Sequence, residues 1–470
     1  MIRAGQLESA SAPLGISAGR ALVVILMFSS ALRVASSLYQ GNTVADLPGV
    51  FDQISYHELA QRVAEGHGFS FATGHWPATR AGEPTAHWSY AYTLYLAAIY
   101  KVFGAQPLLA RLVQAIIAGV LHPWLAWRIG GRVFGSRAGL VAAGLSAAYA
   151  YFFYYAGGLV TEAFYIIAVL WTLDVALRLA ASNREMPARG EPRPARWRLW
   201  LELGLALGAA ALLRQVFLLF APFLFLWLYW HLRAVPARSV TRLSGPMAPG
   251  WQALRGLAVA SIVLTLLIAP WTLRNLRAFG AFVPLNTNAG YAFFWANHPI
   301  YGTEYVGLLP PDGPSYYDLI PKELRSLNEA ELDRALLKRG LEFVVDDPAR
   351  FILLSLSRTK EYFRFWPSSE SGTVSNLSRV GSFGVCLPFM LYGLWRSAVL
   401  VRGRWESQQI AQLALLYGFV VVYTAVHLAS WALIRYRLPV DAVLLVFAGF
   451  GLADLAERCL PSLRRRPASG

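Results

Sequence analysis

The chain has 470 residues, 56% hydrophobic and only 15% charged, where a soluble domain carries about 25% charged residues. That shortage of charge, with 16 Trp and a mean hydropathy of +0.43, excludes an ordinary soluble globular protein and points to one that crosses a membrane many times. The net charge of +15 does not imply nucleic acid, because the basic residues fall in short loops between apolar runs, as the positive-inside rule requires. Of the two cysteines, Cys386 sits in an apolar run and Cys459 beside a basic tail, so neither a disulfide framework nor a thiolate metal site is expected.

A spanning helix needs about 20 mostly apolar residues. The first such run, Arg20–Leu38, is expected to be a retained span rather than a cleaved signal, given Ser29, Arg33 and the aromatic loop that follows. A polar loop, residues 39–105, comes next. It carries Asp46, Asp52, Glu58, Glu65 and Glu83 together with His57, His67, His75 and His87. Its end, Tyr90–Phe103, is apolar and aromatic but too short to span, and is expected to be an interfacial helix. Gln106–Trp127 is the second span. Arg128, Arg132 and Arg137 follow without an acid, which marks that side as cytoplasmic and puts the Asp52 loop on the external face.

Ala138–Tyr155 and Leu159–Leu179 are the next two spans, and the arginine-rich loop between Ala180 and Arg198 is again inside. Leu199–Leu213 and Val216–Leu232 form a helical hairpin that turns outside near Arg214-Gln215, and Gly256–Leu273 follows another basic loop. The stretch 274–378 lacks a full span. It holds Pro310-Pro311, an acidic helix around Asn328–Asp347 and an amphipathic run Phe351–Trp366, and is expected to be a small external cap lying partly on the membrane. Ser382–Leu400, Gln409–Leu428 and Leu438–Leu455 complete about ten spans, with both termini cytoplasmic. Three parts follow: an N-terminal transmembrane module, 1–273, with its external loop 39–105; an external segment, 274–378; and C-terminal spans with a basic tail, 379–470. Neither a fixed-period repeat nor the inverted repeats of transporters are visible.

Charges at membrane depth are costly, so each needs an account. Asp174 and Arg178, four apart on one helix, read as a structural pair, and Glu202 as a carboxylate at the positive end of a helix dipole. Glu162 has two readings: a dipole partner at the external start of its span, or a group facing the same cavity as Asp52. Arg274, Arg435 and Arg437 lie outside, against the positive-inside rule; a bound anion or lipid headgroup anchoring explains them equally. Asp52 reads either as the N-cap of a short helix, Gln53–Glu65, or as the acid–base residue of the loop. Glu83 and His87, four apart, would share one divalent metal ion if their segment were helical, although Gly82 and Pro84 weaken that geometry.

The order of several short motifs resembles the membrane-embedded GT-C glycosyltransferases, in particular the protein O-mannosyltransferase and lipid A aminoarabinose transferase type. The resemblance covers most of the chain. It is carried by Phe51-Asp52 with Tyr56, Gly66-His67-Gly68-Phe69, Gly82-Glu83-Pro84-Thr85-Ala86 and Thr161-Glu162-Ala163. It continues in Pro270-Trp271-Thr272-Leu273-Arg274-Asn275, Asn288-Ala289-Gly290, Asn297-His298-Pro299 and Arg435-Tyr436-Arg437-Leu438-Pro439. One departure is Trp88-Ser89-Tyr90, where many relatives open the short aromatic helix with Pro-Pro.

The resemblance implies a bundle of about ten or more transmembrane helices with external juxtamembrane helices and a cap. It also implies a polyprenyl-phosphate sugar as donor, handled at the external face of the cell's inner (plasma) membrane, and a lipid, glycan or protein as acceptor. On that footing Asp52 is the general base and Glu162 a second catalytic carboxylate. Arg274, Arg435, Arg437 and Tyr56 bind substrate and phosphate, and Glu83 with His87 are the candidate ligands of a divalent metal ion. A single displacement inverts the anomeric carbon. The competing expectation is a transporter or flippase of a lipid-linked sugar, which would show broken helices at midplane.

Overall fold

The apolar runs become helices because a backbone in hydrocarbon has to satisfy its own hydrogen bonds. The structure, a computed structural model, describes residues 16–47, 50–182, 196–233, 249–310, 312–369, 371–401 and 408–459. The arginine-rich loops 183–195 and 234–248, the short loop 402–407 and both tails, which carry much of the expected inside charge, lie outside the described residues. Among the described residues there is no strand, only two isolated bridges, Ser70 with Pro84 and His75 with Thr79.

Helix α1 (Ile16–Gln40) leads into the polar loop, which contains α2 (Asp52–Ala64) and ends in α3 (Tyr90–Phe103). The bundle continues through α4 (Pro107–Phe134), α5 (Ser136–Ala148), α6 (Ala150–Gly157), α7 (Glu162–Ser182), α8 (Arg196–Leu213), α9 (Ala221–Arg233) and α10 (Pro249–Phe279). The cap holds α11 (Ala289–Ala296), α12 (Glu329–Asp346) and α13 (Pro348–Tyr362). The chain then returns through α14 (Thr373–Arg379), α15 (Val385–Val401), α16 (Gln408–Ala429) and α17 (Ile434–Cys459). Eight helical runs among the described residues are long and apolar enough to span a membrane. With α8 and the α5–α6 pair they account for the spans expected from the sequence.

Two helices form the centre. Nearly every side of α7 and α17 is buried, with Leu170, Leu173, Val443 and Leu445 fully enclosed, as befits helices that are apolar all round. The flank is the reverse: α10 leaves Ile262 and Leu266 exposed, which suits contact with lipid. The expected span 138–155 is broken at Tyr149, whose backbone is extended (φ −68°, ψ 114°). A break at that depth is tolerable because it is enclosed by protein: the Ala150 amide donates to Ser382 Oγ at 3.0 Å. The sequence showed no such interruption, since the apolar run is continuous there.

Buried charges tie the bundle at the end away from the cap. Asp174 accepts from Arg178 at 3.0 Å, the expected pair, and also from Arg128 of α4 at 2.9 Å. Glu202 is engaged rather than left to the helix dipole: it takes a bond from Trp171 Nε1 at 2.9 Å and pairs with Arg178. These contacts link α4, α7 and α8. At the other end α2 and α3 close over the bundle through Tyr56, Leu59, Trp88, Tyr92 and Leu96. Helix α12 starts with a capping box, Asn328 with Glu331. It packs so closely on α11 that a Cβ on Gly290 would lie 1.7 Å from the Asp333 carbonyl oxygen.

Candidate functional site

The cap end of the bundle gathers polar groups that the rest of the interior excludes. Asp52 is the first helical residue of α2, not its N-cap; Phe51 holds that position and no side chain caps the helix. The carboxylate is therefore left to reach outward, and its Oδ2 lies 2.8 Å from Nη1 of Arg435, the second residue of α17. Arg435 Nε is 3.9 Å from Oε1 of Glu162, the first residue of α7. Glu162 is almost wholly buried and also pairs with Arg214, the residue that follows α8. Arg214 Nε donates to Thr161 Oγ1 at 2.8 Å. Its guanidinium sits 5.7 Å from the Tyr165 ring and 5.2 Å from the Tyr436 ring.

Two carboxylates and two guanidiniums thus converge from α2, α7, α17 and the α8–α9 turn, and their charges sum to zero. One carboxylate oxygen, Glu162 Oε2, is buried with no hydrogen-bond partner. Tyr56, one turn along α2 from Asp52, packs edge-on against Trp88 and Tyr92 and takes a bond from the Ser89 amide at 3.4 Å. Burial first, and then the Asp52 charge, pushes its phenol above the ordinary range, so it stays protonated at neutral pH.

The three arginines expected to bind phosphate part company. Arg435 is in the cluster. Arg437, two residues on, faces the opposite side of the helix, as i and i+2 must. It is fully buried, pairs with Asp441 at 2.9 Å, donates to the Tyr362 carbonyl at 2.6 Å and lies 3.5 Å from the centre of the Phe383 ring. It locks α17 to α13 and does not join the cluster. Arg274 is also occupied: Nη1 donates to Thr85 O (2.9 Å), Tyr90 Oη (3.2 Å) and Asn275 Oδ1 (3.1 Å), and Nη2 to Phe69 O (3.1 Å). It clamps the polar loop to the end of α10.

The segment holding Glu83 and His87 is not helical, so the spacing that would let both reach one metal ion is absent. Glu83 is half exposed and pairs with Arg80 at 3.5 Å on the wall of a cleft of about 350 Å³ between the loop and the cap. His87 is buried, with Nδ1 3.2 Å from the Thr287 carbonyl. That contact places the proton on Nδ1, and burial lowers its pKa, so the ring is neutral. These two side chains do not fit a shared ion. No group of three or more His, Cys, Asp or Glu suited to a metal occurs among the described residues.

Two residues at the site were not anticipated. Arg214 shares the signal that drew attention to Arg274 and Arg435, a cation at an outward turn where the positive-inside rule disfavours one. Glu329 gave no signal, because an acid in the first turn of a helix is ordinary. It is buried, accepts from the Ala86 amide at 2.7 Å and Thr79 Oγ1 at 2.9 Å, and also bonds Thr287. It pins the cap onto the strip that leads from His87 to the site. His75 bonds Ser55 Oγ at 2.8 Å through Nε2 and stacks on Phe71; burial lowers its pKa to about 4.

Comparison with known proteins agrees with this architecture. The family model described as dolichyl-phosphate-mannose-protein mannosyltransferase matches residues 89–264. No curated protein sequence matches the chain. The archaeal oligosaccharyltransferase AglB from Archaeoglobus fulgidus, in complex with an inhibitory peptide and a dolichol-phosphate, aligns with a TM-score of 0.59 at 17% identity, over 97% of this chain and 53% of that one. The same enzyme's complex with Zn and sulfate aligns with a TM-score of 0.57 at 16% identity, over 93% of this chain and 49% of that one. ArnT from Cupriavidus metallidurans, bound to undecaprenyl phosphate, aligns with a TM-score of 0.38 at 14% identity, over 95% and 81% respectively. The chain spans about half the length of the oligosaccharyltransferase it matches. The fold is that of the GT-C membrane glycosyltransferases, as the motifs of the sequence implied.

Proposed function

We propose that this GT-C-fold membrane protein is a glycosyltransferase that moves a sugar from a polyprenyl-phosphate donor to a lipid, glycan or protein acceptor. The observation that carries this reading is the convergence of Asp52, Tyr56 and Glu162 with Arg435 and Arg214 at the cap end of the bundle. Such a site meets the two demands of the reaction, a proton acceptor beside the nucleophile and positive charge for the leaving phosphate. Arg128 and Arg132 lie on α4 towards the opposite end, which supports an external cap and cytoplasmic termini. The expected parts, 1–273, 274–378 and 379–470, then serve as site and donor groove, cap, and closing helices.

In the proposed reaction Asp52 takes the proton of the acceptor hydroxyl or amine as that atom bonds to the anomeric carbon. The bond from that carbon to the phosphate oxygen breaks, and its electron pair leaves with the phosphate. Single displacement inverts the centre, so base and phosphate stand on opposite faces of the sugar. With Asp52 and Arg435 only 2.8 Å apart, the sugar enters by parting them, and the long Arg435 side chain is the one able to follow the phosphate. The unpartnered Oε2 of Glu162 is placed to accept a sugar hydroxyl and to favour an oxocarbenium-like transition state.

Reconstitution in liposomes with radiolabelled polyprenyl-phosphate sugars tests the reading. Release of sugar from the lipid onto an acceptor is expected. Movement of intact donor across the bilayer without cleavage would instead establish a flippase, a reading that the break at Tyr149 would suit.

A further inference from the structure

We propose that the acceptor is a carbohydrate chain, held beyond the reaction centre by the face of Trp76 and, in the adjoining cleft between the polar loop and the cap, by Arg80, Glu83 and Asn328. The proposal rests on the glycosyltransferase reading and narrows its acceptor from lipid, glycan or protein to glycan.

Trp76 is the first observation. A single apolar ring at a surface is ordinary, but this one, 46% exposed, is held in place. It stacks on Trp295 of α11, with 5.6 Å between ring centres and 28° between planes, and His87 and Trp88 meet it at 5.5 and 6.2 Å. The turn that carries it is closed by His75 and Thr79, whose backbones exchange hydrogen bonds of 2.8 and 2.9 Å. His75 moors that turn to Ser55 of α2, and Thr79 moors it to Glu329 of α12. An aromatic face fixed in this way is a platform for the C–H face of a sugar ring, bound with little loss of side-chain freedom. Trp88 joins the platform to the reaction centre, since it also contacts Tyr56, one turn of α2 from Asp52. Its buried Nε1 has no hydrogen-bond partner among the described residues and is a donor free for a hydroxyl.

The cleft is the second. Arg80 follows the turn directly, and with Glu83, Asn328 and Phe279 it lines about 350 Å³, within the ordinary range of small-ligand sites. Its Nη2 is anchored by the carbonyls of Arg325 and Ser326 at 3.0 and 2.9 Å. Its Nη1 pairs with Glu83 at 3.5 Å, both side chains about half exposed, a weak contact that sugar hydroxyls can replace. The Asn328 oxygen caps α12, which leaves its NH2 group to donate. The wall sets one guanidinium against two carboxylates, Glu83 and Glu329, which disfavours an anionic acceptor, and burying these charges under an acyl chain would cost more still. A peptide would gain most from a strand edge with free backbone groups. Among the described residues the loop offers only two isolated bridges, whose groups already face each other. A neutral ligand with many hydroxyls and apolar ring faces fits both the platform and the cleft.

The test presents the full chain, in dye-labelled nanodiscs, to three arrays: neutral oligosaccharides, Ser- and Thr-containing peptides, and polyprenol lipids. Retention by a subset of the oligosaccharides is expected, with the other two arrays no better than they are for empty nanodiscs. Trp76→Ala should weaken that binding by about tenfold or more, and Trp76→Phe, which keeps an aromatic face, by about threefold or less. Arg80→Ala with Glu83→Ala leaves the platform intact, should cost about fivefold or more, and carries the reading should Trp76→Ala misfold by thermal melt. Retention on peptides or lipids in place of oligosaccharides would overturn the proposal. So would an oligosaccharide array that retains nothing, or binding that survives both sets of substitutions in folded protein. Release of labelled sugar from a polyprenyl-phosphate donor, measured on the same preparation, separates the two readings. Release without glycan binding removes only the acceptor class, whereas no release with any acceptor removes the glycosyltransferase reading itself.

Discussion

Asp52→Asn keeps the shape of the side chain and removes its charge, so it separates chemistry from architecture. The pair with Arg435 at 2.8 Å has a bare attraction of about 6 kcal/mol at an effective dielectric constant of about 20. Most of that is offset by the desolvation of both groups. In the variant the asparagine oxygen still accepts from Arg435, and Glu162 remains 3.9 Å away, so the net loss of stability should be only about 1–3 kcal/mol. Loss of a general base costs about 10²- to 10⁴-fold in rate, or about 2.7–5.5 kcal/mol of barrier. Donor binding should hold or tighten, because Arg435 no longer has a carboxylate to leave. The assay is single-turnover release of labelled sugar at saturating donor, per mole of folded protein, beside a donor-binding isotherm and a melting curve. Turnover within about tenfold of native would refute Asp52 as the base. A loss of turnover that merely follows weaker binding or a collapsed melt would assign Asp52 a structural part instead.

Other expectations follow from particular contacts. Arg437→Met leaves the Asp441 carboxylate fully buried with, among the described residues, the Tyr149 hydroxyl 2.7 Å away as its remaining side-chain donor, and should cost about 3–5 kcal/mol by thermal melt. Arg437→Met with Asp441→Leu should recover to within about 1 kcal/mol and retain donor binding; loss of binding in that double variant would return Arg437 to the phosphate site. Gly290→Ala would drive a methyl group into the Asp333 carbonyl, 1.7 Å away, so α12 must move off α11, at a cost of about 3 kcal/mol or more. Earlier proteolytic cleavage within the cap is the readout. The half-buried His75 imidazole titrates at about 4 against an ordinary 6.5, so the unfolded loop binds a proton before the folded one does. Its contribution to loop stability is complete above pH 6.5 and is lost as pH falls towards about 4. Amide exchange over residues 69–88 should rise across that window in the native chain and less in His75→Phe.

Much of the framework was legible in the chain itself. Length and apolarity dictate spanning helices, because hydrocarbon leaves the backbone no other partner, and the runs from Arg20 to Leu455 fall where helices form. The spacing of Asp174 and Arg178 made their pairing legible too, since both sit on one face of one helix. The acidic helix at Asn328 and the short aromatic helix at Tyr90 are likewise local matters of capping, length and composition. What the sequence left open was which charges meet. Arg435 and Arg437 are near neighbours in sequence, yet one joins Asp52 and Glu162 and the other is sealed against Asp441 and Phe383. Helical rotation separates them, but only the packing of α17 on α2, α7 and α13 decides which face receives which. Arg214 reaches Glu162 across 52 positions of chain, and Glu329 reaches Ala86 across 243. Such pairings depend on distances that close only when helices far apart in sequence stand side by side. Local patterns of polarity therefore determined the elements of this protein, and tertiary packing alone decided the composition of its site.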